Sequence, residues 1–293
     1  MSTWPTSDTD SDLVATDVSA DSCSPARARN SLLLPLVSRF NNLKALVNSI
    51  IAYGDPKVIP PGRLLKVTKY AATGASSMQT FTFTPQAATN FLIVEVQGAG
   101  GAGCMVHSDI AYPYVSHLAG FGGGAGAYCK ALITSGFSSV TVSVGPGGLG
   151  GGNGPTASFG SLVQCLGGLS NYQSSTAALP VISGCPLGSG SAITLGPGCV
   201  ALRSVERVQG MPGVVYSTSL AVSGAGADSP MGAGAPSKIV TSGSGSYYGL
   251  DAPSNGYGAG GSGAVCINVA AYANTPMLSS SGSSGCVIVY EFS

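Results

Sequence analysis

The side chains able to do covalent chemistry are few in this chain, and their spacing organises none of them. There are two histidines, His107 and His117, and Asp109 lies close to the first. A nucleophilic hydrolase needs a nucleophile, a base and an acid that orients the base; serine is so abundant here that any such triad would be arbitrary. Glycan cleavage needs two placed carboxylates. Glu95 falls in an extended run, Glu206 sits beside Arg203 and Arg207 as a surface ion pair, and Asp109, Asp228 and Asp251 fall in loops. Nothing pairs them. Gly98, Gly100 and Gly103 satisfy G-x-G-x-x-G after a strand. The helix that a dinucleotide site then requires is replaced by CMVHSDIAYPYVSH, which is β-branched, aromatic and broken by Pro113. The eight cysteines form no C-x-x-C pair and no zinc-type spacing, and read as reduced, buried, small apolar residues. No cofactor and no metal are expected, and the chain reads as a non-enzyme.

What remains is the chemistry of contact. Tyr112 and Tyr114 lie in IAYPYVSH with His117, and Tyr247, Tyr248 and Tyr257 lie in GSYYGLDAPSNGYG. Tyrosine on glycine-flanked loops offers a large ring and a hydroxyl at low entropic cost. Saccharides and protein receptors are both bound this way, and the same rings also suit a core or a chain–chain contact.

The elements that must position these rings are read from glycine and from alternation. Of 293 residues 44 are glycine, clustered in runs that follow or separate β-like segments. Such runs serve either as turns or as extended segments packed side by side, in which backbones approach closely and three residues make a turn; Pro146, Pro155 and Pro197 among them favour the second use. Strands are expected at 62–70, 79–84, 91–97, 127–133, 140–144, 157–165 and 285–292, each bounded by turn residues. The last has no sequence neighbour and is expected to return into the sheet begun by the first, which favours a β-sandwich of Greek-key or jelly-roll type. Residues 166–256 carry weaker strand signals and read as long excursions from that scaffold, where binding commonly resides.

Upstream, SLLLPLVSRFNNLKALVNSII is the one convincing helix. Leu33, Leu36, Phe40, Leu43, Val47 and Ile50 follow the a/d spacing of a heptad seam. The stretch 31–52 is flanked by a polar arm and by the breakers Gly54, Pro56, Pro60 and Pro61, so self-association of chains is expected there. Residues 53–62 form a proline-stiffened linker. Residues 1–30 show no helix or strand period and read as an arm ordered only by a partner. Asp8, Asp10, Asp12, Asp17 and Asp21 make it acidic, and a basic neck follows; docking on a partner protein is expected. The basic residues are too few and too little interleaved with aromatics for nucleic acid. The arm begins acidic without an apolar core, so no secretory leader is expected, and no apolar run is long enough to enter a membrane. Only 8% of residues are charged, against about 25% in ordinary soluble domains, which suits an extracellular particle.

The run GRLLKVTKY…TFTFTPQAATNFLIVEVQGAGGAG, then GFGGGAGAYCKALI, VTVSVGPGGLGGG and ASFGSLVQCLGG, closing in GYGAGGSGAV and GCVIVYEF, resembles the glycine-rich C-terminal domain of tailed-bacteriophage tail fibres. The resemblance covers about 62–168 and 256–292. It implies a virion-borne, trimeric fibre protein made in the bacterial cytoplasm and released by lysis. Its arm (1–30) would join other tail or baseplate proteins. Its helix (31–52) would start the trimer, and its mostly β head (63–293) would meet a bacterial surface receptor, glycan or protein, through loops that the glycine runs support. The intervening residues 166–255 fall outside the resemblance and are expected to carry specificity. The alternatives are a tailspike-like glycan-degrading enzyme and a purely structural fibre or baseplate spacer.

Overall fold

In FLIVEVQ every second side chain is apolar, and in the computed structural model Leu92, Val94 and Val96 are fully buried along one face of a strand. The structure describes residues 41, 62–72, 76–107, 116–170, 173–174, 181–183, 191–241, 254–269 and 277–293. The chain divides into two units, Met1–Arg63 and Leu64–Ser293, and the described residues other than 41, 62 and 63 belong to the second. The expected arm with Asp8, Asp10, Asp12, Asp17 and Asp21 lies outside the described residues, as do the heptad positions Leu33, Leu36, Phe40, Leu43, Val47 and Ile50.

The first ten strands are β1 (Leu64–Ala71), β2 (Gln79–Phe83), β3 (Phe91–Gln97), β4 (Val106–His107), β5 (Ser116–Ala119), β6 (Tyr128–Ile133), β7 (Val140–Val144), β8 (Ala157–Phe159), β9 (Val163–Cys165) and β10 (Gln173–Ser174). The others are β11 (Val181–Ser183), β12 (Ile193–Leu195), β13 (Cys199–Val205), β14 (Gly213–Ser217), β15 (Leu220–Val222), β16 (Met231–Ala233), β17 (Ile239–Thr241), β18 (Asn255–Tyr257), β19 (Val265–Val269) and β20 (Cys286–Phe292). Among the described residues the unit is mostly β and its sheets are antiparallel, apart from the short parallel pair β4–β10.

Two five-stranded sheets, ordered β1-β20-β3-β6-β13 and β12-β9-β8-β7-β2, share one core. Leu92, Val94, Val96, Ala131, Ile133, Val287 and Val289 come from the first sheet, and Phe83, Val140, Val142, Val144, Phe159 and Val163 from the second. Phe83 and Phe159 meet with ring centroids 5.3 Å apart. The final strand returns between β1 and β3, as its lack of a sequence neighbour required. Two expectations change. Residues 157–165 are a hairpin, β8 and β9, and not one strand, because Gly160 turns the chain with a φ of 55°. Residues 166–256 are not only excursions: β12 and β13 complete the two main sheets, and β11-β14-β15-β17 form a sheet of their own.

Between the main sheets and that smaller sheet, nine glycine-rich runs among the described residues lie side by side: 98–104, 120–127, 145–155, 166–170, 208–213, 223–228, 234–238, 258–264 and 277–285. Their bonding repeats every third residue. In run 98–104 the N–H groups of Gly98, Gly101 and Cys104 donate to the carbonyls of Ala127, Gly124 and Phe121. Those of Ala99 and Ala102 donate to Pro155 and Gly152, and those of Gly100 and Gly103 to Ser283 and Ser280. Run 120–127 does the same: Gly120, Gly123 and Gly126 face run 258–264, Gly122 and Ala125 face run 208–213, and Gly124 and Ala127 face run 166–170. Three residues per turn is the polyproline II repeat, which makes no internal hydrogen bonds. Buried backbone groups must be paired, so each run takes its partners from several neighbours at once. A β-sheet bonds in one plane; this lattice bonds in three directions.

Glycine is required here by proximity. A Cβ on Gly100 would overlap the Ala259 carbonyl, and one on Gly101 would stand 2.5 Å from the Leu169 oxygen. No glycine of runs 98–104 or 120–127 has a positive φ. Alanine and serine occupy the columns with room: Ala99, Ala102, Ala125, Ala259 and Ser262 are fully buried. Gln97 sits where sheet becomes lattice, and its Nε2 donates to the Gly126 carbonyl at 2.9 Å.

Candidate functional site

The chain crosses the lattice repeatedly between two ends. Strand β3 runs into 98–104 and then β4; β5 runs into 120–127 and then β6; 258–264 runs into β19. One end is the pair of large sheets, where β1 begins this unit. The other carries β5–β19, β4–β10 and the sheet β11-β14-β15-β17. Two small cores fasten it. Ala119, Val215, Ala221, Val240, Val265 and Ile267 form one, and Val106, Leu118, Ala264, Cys266 and Met277 the other.

With Val215, Ala221 and Val240 committed to that core, alternation turns their neighbours outward. The pairing aligns Ile182, Val214, Val222 and Ile239 across all four strands. Ile182 is 71% exposed and Ile239 65% exposed, with Tyr216 also exposed on β14. The outward side of a solvated antiparallel sheet is ordinarily polar. Among the described residues of these strands there is no aspartate, glutamate, lysine or arginine. An apolar row with a phenol beside it presents area for burial and a ring for contact.

His117, on β5 at this same end, is half-buried, and burial holds its imidazole below the usual range. Tyr257 lies elsewhere. It ends β18, directly before run 258–264, and so stands at the large-sheet end, with the Lys69 ammonium 5.5 Å from its ring centroid. The Lys69 pKa is raised, first by a hydrogen bond with Tyr257. At about 3.1 Å per residue, the length of the run separates Tyr257 from His117 by roughly 20 Å or more. The two expected receptor residues are thus not brought together. Tyr112, Tyr114, Tyr247 and Tyr248 lie outside the described residues; in sequence the first two fall between β4 and β5, and the others follow β17. Sequence reasoning missed the row Ile182–Val214–Val222–Ile239, because its members come from four short strands with no common motif.

The carboxylates considered for catalysis are spread out. Glu95, on the outer side of β3, accepts the Tyr128 hydroxyl at 2.8 Å and pairs with Lys130 at 3.1 Å. Glu206, expected to pair with its neighbouring arginines, instead accepts the Ala192 N–H at 2.8 Å and the Ser191 hydroxyl at 3.3 Å. Asp228 accepts the Gly234 N–H at 2.7 Å, and Asp109 and Asp251 lie outside the described residues; Glu291, not one of these candidates, is buried and accepts from the Gln86 N–H and the Thr89 hydroxyl. Among the described residues no group of three or more His, Cys, Asp or Glu is placed to hold a metal ion. Compared with protein-family models and with curated proteins, the chain matches none.

Proposed function

We propose that the chain is a tail-fibre type of receptor-binding protein from a tailed bacteriophage. In this reading residues 1–30 dock on tail or baseplate proteins, residues 31–52 form a short trimeric coiled coil, and the β head is a jelly-roll-like sandwich carried on the virion. Its lattice end meets a glycan or protein on the bacterial surface. The observation that carries the reading is the apolar row Ile182–Val214–Val222–Ile239, held beyond the lattice at the end opposite the start of β1. The lattice is bonded in three directions and poor in charge, so it holds that surface rigidly while adding little adhesion of its own. Several weak contacts on one particle then raise avidity, by roughly 10²–10⁴ where geometry allows.

The test is binding of the fluorescently labelled full-length chain to a panel of bacterial strains, read by flow cytometry. Ile182→Glu with Ile239→Glu is expected to lower binding tenfold or more, and Tyr257→Ala to leave it unchanged. Both isoleucines are exposed, so the fold tolerates the change. Full binding by the double variant, or binding to no strain by the parent, refutes the reading.

A further inference from the structure

The two large sheets have opposite outer faces. Across β2, β7, β8, β9 and β12 the outward row is Thr80, Ser143, Ser158, Gln164 and Thr194, with Thr82 opposite Thr141 in the next row. Every one is an uncharged hydroxyl or amide, as a face turned to water should be. Across β1, β20, β3, β6 and β13 the corresponding rows are Val67, Tyr290, Ile93, Leu132, Val200 and Lys69, Ile288, Glu95, Lys130, Arg203. Phe91 and Phe292 stack beside them at 4.9 Å. Val67 is 49% exposed and Val200 60% exposed.

The second face sets an apolar and aromatic row beside a charged one, and so offers both the burial and the polar pairing that an interface uses. Its central anion is already neutralised: Glu95 holds Lys130 and the Tyr128 hydroxyl. The cations left over, Lys69 and Arg203, lie on the two edge strands. Lys130 rests 5.7 Å from the Tyr290 ring and Arg203 lies 5.8 Å from the Tyr128 ring, so these long side chains lose little freedom on docking.

We infer that this face packs against a second copy of the chain. The face begins at β1, and only residues 53–63 separate β1 from the apolar heptad stripe that predicts chain association. A linker spans at most about 3.5 Å per residue, so association at the stripe holds a second copy within tens of ångströms of this sheet, at an effective concentration of millimolar order. Size agrees. Five strands at about 4.8 Å spacing and seven residues at about 3.4 Å give a face of roughly 450 Å², or about 900 Å² for two copies. That is below the standard interface of about 1,600 Å², and fits a contact that forms with the neck's help and not alone. The inference does not depend on the receptor reading.

The experiment uses the full-length chain. Hydroxyl-radical footprinting of the assembled protein is expected to label Val67 and Val200 several-fold less than Leu149, which is 60% exposed elsewhere. Dilution to the monomer is expected to restore their labelling. By analytical ultracentrifugation, Val67→Glu with Val200→Glu is expected to raise the dissociation constant tenfold or more, and Thr82→Glu with Thr141→Glu to leave it unchanged. Labelling of Val67 and Val200 equal to Leu149 in the assembly overturns the inference. So does an equal effect of the two double variants. Protection that persists in the monomer overturns it as well, since the chain's own N-terminal residues or nothing intermolecular would then cover the face. Binding of the parent chain to no strain, with this association intact, would sink the receptor reading alone.

Discussion

Replacing Gly101 by alanine adds one carbon to a molecule of 293 residues, yet it should remove a large share of the margin by which a fold is stable. The new Cβ stands 2.5 Å from the Leu169 oxygen and 2.9 Å from the Gly168 oxygen. To reach ordinary contact at 3.4 Å, the Leu169 carbonyl must retreat by about 0.9 Å. That carbonyl accepts the Gly124 N–H at 2.8 Å, and Gly124 in turn accepts the Gly101 N–H at 2.9 Å. A displacement of this size breaks one or two such bonds, each contributing about 1 kcal/mol net. Overpacking adds about 1–3 kcal/mol, and the stiffer unfolded chain gives back about 0.4–1 kcal/mol. The expected loss is therefore about 2–4 kcal/mol. Gly152→Ala is the comparison: its Cβ meets one atom, the Leu149 oxygen, at 2.9 Å, and the next neighbours stand at 3.8 Å or beyond. It should fall within about 1 kcal/mol of the parent. Urea unfolding followed by circular dichroism measures both, and hydrogen exchange at Gly101 and Gly124 reports whether the damage is local. If Gly101→Ala proves as stable as the parent, or if the two variants lose equally, the runs are not held by backbone proximity.

Other outcomes follow from burial. At pH 8 a thiol reagent should reach at most three of the eight cysteines before unfolding, because Cys104, Cys129, Cys165, Cys266 and Cys286 are fully buried. Burial also pushes the thiols of Cys266 and Cys286 up to about 11; rapid reaction of four or more would contradict the packing. The Tyr128 phenol is held well above its usual range by burial and then by the Glu95 carboxylate. Its folded pKa is raised, so its contribution is complete below pH 10 and is lost as pH rises further. Stability should therefore fall above pH 10, less steeply in Tyr128→Phe, as read by urea midpoints across pH 8–12.

Legibility in the sequence tracked the distance over which each residue finds its partner. Strands β2, β3, β6 and β7 were readable because alternation such as Leu92, Val94, Val96 is a local property. The placement of β20 was readable because GCVIVYEF has no neighbouring strand in sequence to pair with. The β8–β9 hairpin was not, since a turn at Gly160 leaves the flanking alternation intact. The lattice was legible only as a choice between turns and packed extended runs; deciding it requires knowing that Gly100 meets Ser283 and Gly122 meets Met211. The row at the candidate site was invisible for a related reason. Ile182 and Ile239 look like core residues of weak strands until their register puts Val215 and Val240 inside instead.

The lattice also sets a clock. Run 98–104 leaves the ribosome early, but its Gly100 and Gly103 N–H groups wait for the carbonyls of Ser283 and Ser280, and β3 waits for β20 to lie against it. At about 5–20 residues per second, those partners arrive roughly ten to forty seconds later. Until then the run is a solvated, extended chain, and nothing in it nucleates on its own. Closing such long loops is slow because their entropy is spent before any bond repays it. Residues 277–292, made after the other elements of this unit, complete the lattice and then the central sheet, so the head matures in one late, cooperative step.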